Sequence, residues 1–418
     1  MRGMKKIFAS NITIENVRHL KNIDIALSKD DVKHLIFTGK NGSGKTSVLD
    51  ALSYYLDLLT ISNRADKIQM RQQEYKSSLE RLRQHDVVNS LIAEENGLIR
   101  YENNQKTIKS GISVEFNEPA EIIRYYFEEG QFILAYYKAN RIFEADIPEH
   151  VEKVNLKENY SINEEPRQGF VKYLLDLKVT EVFSRSNGNI QKAESINNWF
   201  IKFQELLRKI FDDESLELIF EEDTFQFYIK EKNREIFDFN TLSSGFAAVL
   251  DIVLDIIMRM EKATNKSFDF NIPGIVLIDE IETHLHLELQ RNILELLTSV
   301  FPNIQFIVST HSPFILNSLD NVVIYDLENN IIVKDGLSNV PYEGIVEGYF
   351  KADSMSNLLK KKYNRYKELV IKQNLTDDDF EEIADLEVFL NEIPDYLALN
   401  ITTEYQRLKT EFENREDI

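Results

Sequence analysis

Cysteine is missing altogether, which excludes disulfides and cysteine-ligated zinc and fits a reducing cytosol. Long apolar runs are missing too. No stretch reaches the length of a membrane span, and residues 1–10 (MRGMKKIFAS) lack the extended apolar segment of a signal peptide. A soluble, cytoplasmic protein is expected, with no membrane contact of its own. Positive charge is in deficit: 49 Lys and Arg face 70 Asp and Glu, a formal net charge of −21. That balance argues against a surface that binds nucleic acid by bulk electrostatics and leaves only a local basic groove open. Internal repeats and low-complexity linkers are absent. At 418 residues the chain exceeds a usual single domain, so one enlarged domain with insertions or two intimate lobes is expected.

What the chain does carry starts at residues 39–47. They read GKNGSGKTS and satisfy G-x-x-x-x-G-K-[ST], the phosphate-binding loop. A short apolar strand (residues 34–38, HLIFT) precedes the loop, and an amphipathic helix (residues 48–59) follows it. Gly39, Gly42 and Gly44 let the backbone bend so that the N–H groups around Asn41, Ser43 and Ser47 face phosphate oxygens, helped by the positive end of the helix. Lys45 then reaches the β- and γ-phosphates, and the Thr46 hydroxyl holds Mg²⁺.

Upstream, residues 8–27 alternate apolar and polar in two short runs, as a hairpin or curved sheet edge does. Residues 62–95 are rich in Arg, Lys, Gln and Glu and suggest a solvated helical excursion, with a partner-binding arm as the alternative. Residues 111–116 and 131–139 return to strand character, the second as a continuous buried run. Arg141 lies just past its end, either beside the nucleotide or as an ordinary surface charge. Residues 195–211 have helical periodicity, with Trp199, Phe203, Leu206, Leu207 and Ile210 along one core-facing stripe. Residues 216–228 and 235–239 suggest strands.

The second half of a nucleotide site follows. Residues 241–246 (TLSSGF) precede a long apolar helix over 247–260, which places Ser243, Ser244 and Gly245 at a helix N-terminus. Residues 275–280 (IVLIDE) form a buried strand ending in two carboxylates, an ending that core packing does not require. A Mg²⁺-bound nucleotide explains it, with Asp279 on the metal and Glu280 polarising the attacking water. His284 and His286 find no third ligand in the vicinity and are not taken as a metal site. Residues 303–309 (NIQFIVS) are another buried strand, and His311 just beyond it is placed to meet the γ-phosphate or the water.

Taken together, these residues resemble the ABC-type ATPases, and within them the soluble branch of RecF, the SMC proteins and the old-lysogenisation-type ATPases. GKNGSGKTS is similar to Walker A, LSSGF to the signature, IVLIDE to Walker B and STHSPF to the switch-histidine segment, in the family order, over roughly residues 8–326. The resemblance implies ATP and Mg²⁺ as cofactors, Glu280 as general base and His311 as γ-phosphate sensor. It also implies that Ser243, Ser244 and Gly245 contact ATP held by a second subunit, so a head-to-tail homodimer or higher even-numbered oligomer is expected. Phe246 stands where many members carry Gln or Glu. The glutamine loop has no clear equivalent, with Asn140 and Arg141 as its nearest stand-ins.

The expected fold class is α/β: an ABC-ATPase-like P-loop NTPase fold with an antiparallel β edge, an inserted helical lobe and a C-terminal helical hairpin. Domain expectations are residues 1–145 and 241–330 as the two halves of the ATPase domain, 146–240 as the inserted lobe and connecting strands, and 331–418 as a helical extension. In that extension Met355, Leu358, Leu359, Tyr366, Leu369 and Val370, then Phe380, Ile383, Leu386, Phe389 and Leu390, form two apolar stripes. Asp377, Asp378 and Asp379 follow Thr376 as helix-start acids. The function that the resemblance implies is an ATPase that dimerises around ATP and drives a conformational switch, as the ATPase or sensor component of a bacterial anti-phage defence system with a separate nuclease or other effector. The alternatives are a RecF-like repair factor that binds DNA and a scaffold with negligible turnover.

Overall fold

The computed structural model describes residues 6–60, 106, 109–141, 143–148, 150–232, 234–349, 357–391 and 399–415. The helical excursion expected over residues 62–95 and the position of Met355 lie outside the described residues. Two compact units are present, Met1–Val340 and Pro341–Ile418.

The larger unit is built on a six-stranded sheet in the order β12-β11-β3-β10-β9-β5. Its strands are β3 (His34–Thr38), β5 (Ile133–Tyr137), β9 (Gly274–Ile278), β10 (Ile304–Ser309), β11 (Val322–Asp326) and β12 (Ile331–Val333). β11, β3, β10, β9 and β5 run parallel, and only β12 is antiparallel, to β11. The five parallel strands are buried along their whole length, which is why they read as continuous apolar runs. In such a sheet ligands bind at the carboxyl ends of the strands, and the segments of interest follow β3, β9 and β10.

A second sheet, β2-β1-β4, is antiparallel. It consists of β1 (Ala9–Val17), β2 (Leu20–Ala26) and β4 (Ile112–Phe116). Helix α1 (Lys45–Thr60) buries Val48, Leu49, Leu52, Leu56 and Leu59 in one core with Ile12, Ile14 and Val114 of this sheet and Leu35, Phe37, Leu277 and Ile307 of the parallel one. The helix that opens with Lys45 is therefore held by both sheets. Helix α2 (Ala120–Glu128) adds Ile123 and Phe127 to the same core.

Between β5 and β9 the chain first carries α3 (Phe170–Ser186), α4 (Ile190–Phe211) and an antiparallel sheet of β6 (Glu217–Glu221), β7 (Gln226–Lys230) and β8 (Phe237–Asp238). Trp199, Phe203, Leu206, Leu207 and Ile210 of α4 are buried. Helix α5 (Ser244–Met260) is buried from Ala248 to Met260, as a helix apolar all round must be. It nevertheless carries Asp251, Asp255 and Arg259 into the core, four residues apart on one face. Arg259 donates to Asp255 at 2.7 Å, Tyr137 donates to Asp255 at 2.8 Å, and Arg167 pairs with Asp251. Buried charges are tolerated there because each finds a partner.

Helices α6 (Leu287–Val300) and α7 (Pro313–Leu316) complete the larger unit. In the smaller unit the hairpin of α8 (Asn357–Ile371) and α9 (Asp377–Asn391) is joined by a third helix, α10 (Leu399–Glu413). Tyr363, Tyr366, Val370, Ile383, Leu386, Tyr405 and Leu408 form its core. Leu358, expected on the buried stripe, is 60% exposed. The 3.6-residue period runs through Leu359, Tyr363, Tyr366 and Val370 and leaves Leu358 off that face. Asp379 accepts from the Thr376 N–H and hydroxyl, both at 2.8 Å, and so starts α9.

Candidate active site

The loop after β3 takes Gly39, Gly42 and Gly44 through φ values of 130°, 84° and 103°. Side chains rarely adopt these angles. A Cβ at Gly39 would meet the Ser43 Oγ at 2.9 Å, so the loop closes on itself only because glycine stands there. Lys45 folds back over the loop, its Nζ donating to the Gly39 carbonyl at 2.8 Å and the Lys40 carbonyl at 3.2 Å. Both carbonyls are part of the loop, so the ammonium is parked over the phosphate cradle.

A hollow of about 350 Å³ opens above the loop, lined by Asn41, Gly42, Gly44, Lys45, Thr46, Ser47, Arg18, His19, Glu280 and His311. A second hollow of about 700 Å³ shares His19, Asn41 and Gly42 with it and extends between the β1–β2 turn and the residues after β11. Side by side they offer room for a phosphate chain in one and a nucleoside in the other. Glu328 fastens the loop from the far side, pairing with the Lys40 ammonium at 2.8 Å and accepting the Lys40 N–H at 3.2 Å.

The acidic pair closes β9. Asp279 is buried, and its Oδ1 accepts the Ser309 hydroxyl at 2.5 Å. The same Ser309 oxygen accepts the Glu280 N–H at 2.8 Å. Glu280 sits at φ 44°, left-handed for a residue with a side chain. Two residues on, Glu282 accepts the Thr310 hydroxyl at 2.8 Å and the His311 N–H. Its carboxylate therefore fixes the segment carrying His311, whose Nε2 is buried without a partner among the described residues. An orphaned ring nitrogen at the wall of a phosphate-sized hollow is a position that a ligand can complete.

Charge at the site follows from burial and proximity. Burial lowers the Lys45 pKa, while Glu280, Glu282 and Asp279 oppose that shift. Burial, followed by the Lys45 charge, lowers the His311 pKa, so its imidazole is neutral at pH 7 and carries one N–H to give.

The family model described as "AAA domain, putative AbiEii toxin, Type IV TA system" matches residues 35–317. The chain belongs to this family. By family it is an AAA domain, carried on the mixed α/β fold described above. It is similar to the Escherichia coli protein named "Retron Ec83 probable ATPase", 32% identical over 165 residues, 37% of this chain and 30% of that one. Septu protein PtuA of Bacillus mycoides is 28% identical over 339 residues, 78% of this chain and 41% of that one. "Retron Vc95 probable ATPase" of Vibrio cholerae is 24% identical over 374 residues, 75% of this chain and 72% of that one. The match thus spans less than half the length of the first two relatives. Among solved structures, the Smc head bound to the C-winged helix domain of ScpA aligns over 80% of this chain and 100% of that chain, with a TM-score of 0.39 and 14% identity.

Within this AAA domain, Lys45, Thr46, Glu280 and His311 line one hollow, and Asp279 adjoins it through the shared Ser309. Ser243, Ser244 and Gly245 do not line it. Ser243 precedes α5 without a side-chain capping bond and Ser244 and Gly245 open the helix, with Ser243 and Ser244 exposed and Gly245 packed against the His284 carbonyl. Phe246 is a packing residue: its ring stacks on Phe211 at 4.2 Å and meets the His286 ring edge-on. Arg141 does not itself line the hollow, but it bonds the backbone of Glu280, which does, and it is not a surface charge. It is buried and donates to backbone carbonyls of the acidic turn. Ser309, Glu282, Arg18 and His19 were not picked out from the sequence. A serine ending an apolar strand and a second glutamate two places after Glu280 were the available signals, and each is too common to stand alone.

Proposed function

We propose that this AAA domain binds and hydrolyses ATP and uses the cycle to open and close a dimer. The observation that carries this is the convergence of Lys45, Glu280 and His311, from three separate strand ends, on one hollow. Lys45 would exchange its loop carbonyls for the β- and γ-phosphate oxygens, while loop N–H groups and the start of α1 receive the rest of the charge. The Thr46 hydroxyl and Asp279 carboxylate are hard oxygen donors of the kind Mg²⁺ prefers, and they would hold it. The metal, when bound, neutralises charge developing on the transferred phosphoryl group. Glu280 is the base that takes the proton of the attacking water, and neutral His311 donates to the γ-phosphate. Ser243 and Ser244, exposed, and Gly245 beside them lie outside their own hollow and would engage the nucleotide of a second copy.

The wider setting we propose is anti-phage defence, with a separate nuclease or other effector that senses dimer closure through the inserted helical lobe. Support comes from the company of retron and Septu relatives, of which the two retron proteins are named as probable ATPases. The test is the light-scattering mass of Glu280→Gln protein with and without Mg-ATP, with Lys45→Ala as control. Growth of the Glu280→Gln assembly on ATP, with no response from Lys45→Ala, is the expected result. A monomer under every condition would remove the basis for assigning Ser243, Ser244 and Gly245 to the site. A mass that is unchanged and already above a monomer would show that ATP does not control assembly.

A further inference from the structure

Arg141 follows β5 and belongs to none of the four segments that resemble the ABC motifs. Its guanidinium is occupied by main-chain carbonyls. One terminal nitrogen donates to Asp279 O at 2.7 Å and Lys138 O at 3.2 Å, and the other donates to Glu280 O at 3.1 Å and Ile281 O at 3.3 Å. Three successive carbonyls of the acidic turn thus sit in one planar fork, a geometry that a lysine ammonium cannot reproduce. The turn needs holding, because a non-glycine residue at a φ of 44°, as Glu280 is, costs on the order of 1–3 kcal/mol unless its surroundings impose it. Ser309 holds Glu280 by its N–H, and Arg141 holds it by its carbonyl.

Two atoms point to a further link. The Arg141 Nε–H and the Asp251 Oδ2 are both buried without a partner among the described residues. Asp251 exerts the strongest attraction on the Arg141 charge of any carboxylate around it, and it lies on α5, the helix that begins with Ser244 and Gly245. Burial raises the Asp251 pKa to about 6, and the Arg167 charge, paired with its other oxygen, opposes that rise.

We infer that Arg141 is a positioning residue for ATP hydrolysis, holding the backbone of Asp279, Glu280 and Ile281 where the general base must stand and taking its bearing from Asp251 on the signature helix. This rests on the assignment of Glu280 as the base. Arg141 does not line the nucleotide hollow, so its loss acts on turnover and leaves ATP binding intact. A structural role would lower both.

The experiment compares the wild-type chain, Arg141→Lys, Arg141→Gln, Asp251→Asn and the Arg141→Gln/Asp251→Asn double variant in steady-state ATP hydrolysis. ATP affinity is measured separately with a fluorescent ATP analogue, and melting is followed by circular dichroism. In both Arg141 variants kcat should fall by about 100-fold, the scale of a small misplacement of a catalytic group. KM and ATP affinity should stay within about threefold of wild type, the pattern of an interaction that matters only in the transition state. Asp251→Asn should lower kcat less and add nothing further to Arg141→Gln, as coupled residues do. Wild-type kcat in both Arg141 variants would overturn the inference, and so would parallel losses of ATP affinity and melting temperature. No turnover by ATP-bound wild type would remove the Glu280 assignment and this inference together. Normal wild-type turnover with insensitive Arg141 variants would remove this inference alone.

Discussion

The Ser309 hydroxyl donates to the Asp279 carboxylate across 2.5 Å while its oxygen accepts the Glu280 N–H at 2.8 Å. One hydroxyl at the end of β10 thereby orders both acids at the end of β9. Ser309→Ala should leave a buried N–H and a buried carboxylate oxygen short of a partner, at a cost of about 1–3 kcal/mol in stability. It should also lower ATP turnover. Urea unfolding and steady-state hydrolysis on the same preparation check the two effects, and a variant with wild-type turnover would show that the acids hold their places without it.

Gly39 supplies a backbone angle that side chains rarely adopt, and a methyl group there would press on Ser43. Gly39→Ala should therefore weaken ATP binding by at least about tenfold, because the loop must open to relieve the strain. Titration of a fluorescent ATP analogue measures this. Affinity equal to wild type would mean that the loop tolerates a second conformation.

His34 opens β3 and accepts the Phe306 N–H on Nδ1 at 3.1 Å. Burial lowers its pKa from 6.5 to about 4. The unfolded chain then binds the proton that the folded one refuses, so the contribution is fully present above pH 6.5 and is lost as pH falls toward 4. The loss amounts to roughly 3 kcal/mol over that window. Thermal melts between pH 7.5 and 5 should show the decline, and His34→Gln, which keeps an acceptor but does not titrate, should flatten it. An equally steep decline in the variant would place the acid sensitivity elsewhere.

Trp199 is the sole tryptophan of the chain, and its indole N–H donates to Glu261 at 2.9 Å beside the Tyr173 hydroxyl, which donates to the same carboxylate at 2.5 Å. Burial raises the Glu261 pKa, so removing a donor aggravates an already unfavourable position for charge. Trp199→Phe should cost about 1–3 kcal/mol, the penalty of an unmet buried acceptor. Melting followed by circular dichroism reads this, and the wild-type tryptophan fluorescence reports unfolding of the lobe directly. A variant as stable as wild type would show that Tyr173 alone satisfies the carboxylate.

Sequence alone was sufficient for the parts of the site that are contiguous. Glycines 39, 42 and 44 dictate the loop from within, the short β-branched-rich apolar run before Asp279 reads as a buried strand, and both specify geometry through their immediate neighbours. Tertiary structure decided the rest. Arg141 lies 138 residues before Asp279 and Ser309 lies 30 after it, and in one dimension each is an isolated polar residue indistinguishable from a surface one. Asp251, Asp255 and Arg259 read as blemishes on an apolar helix until β5 and the turn before α3 close over them and supply Tyr137 and Arg167. A hydrogen bond between distant residues leaves no local periodicity, so only the packed sheet shows which polar side chains hold the site and which merely face water.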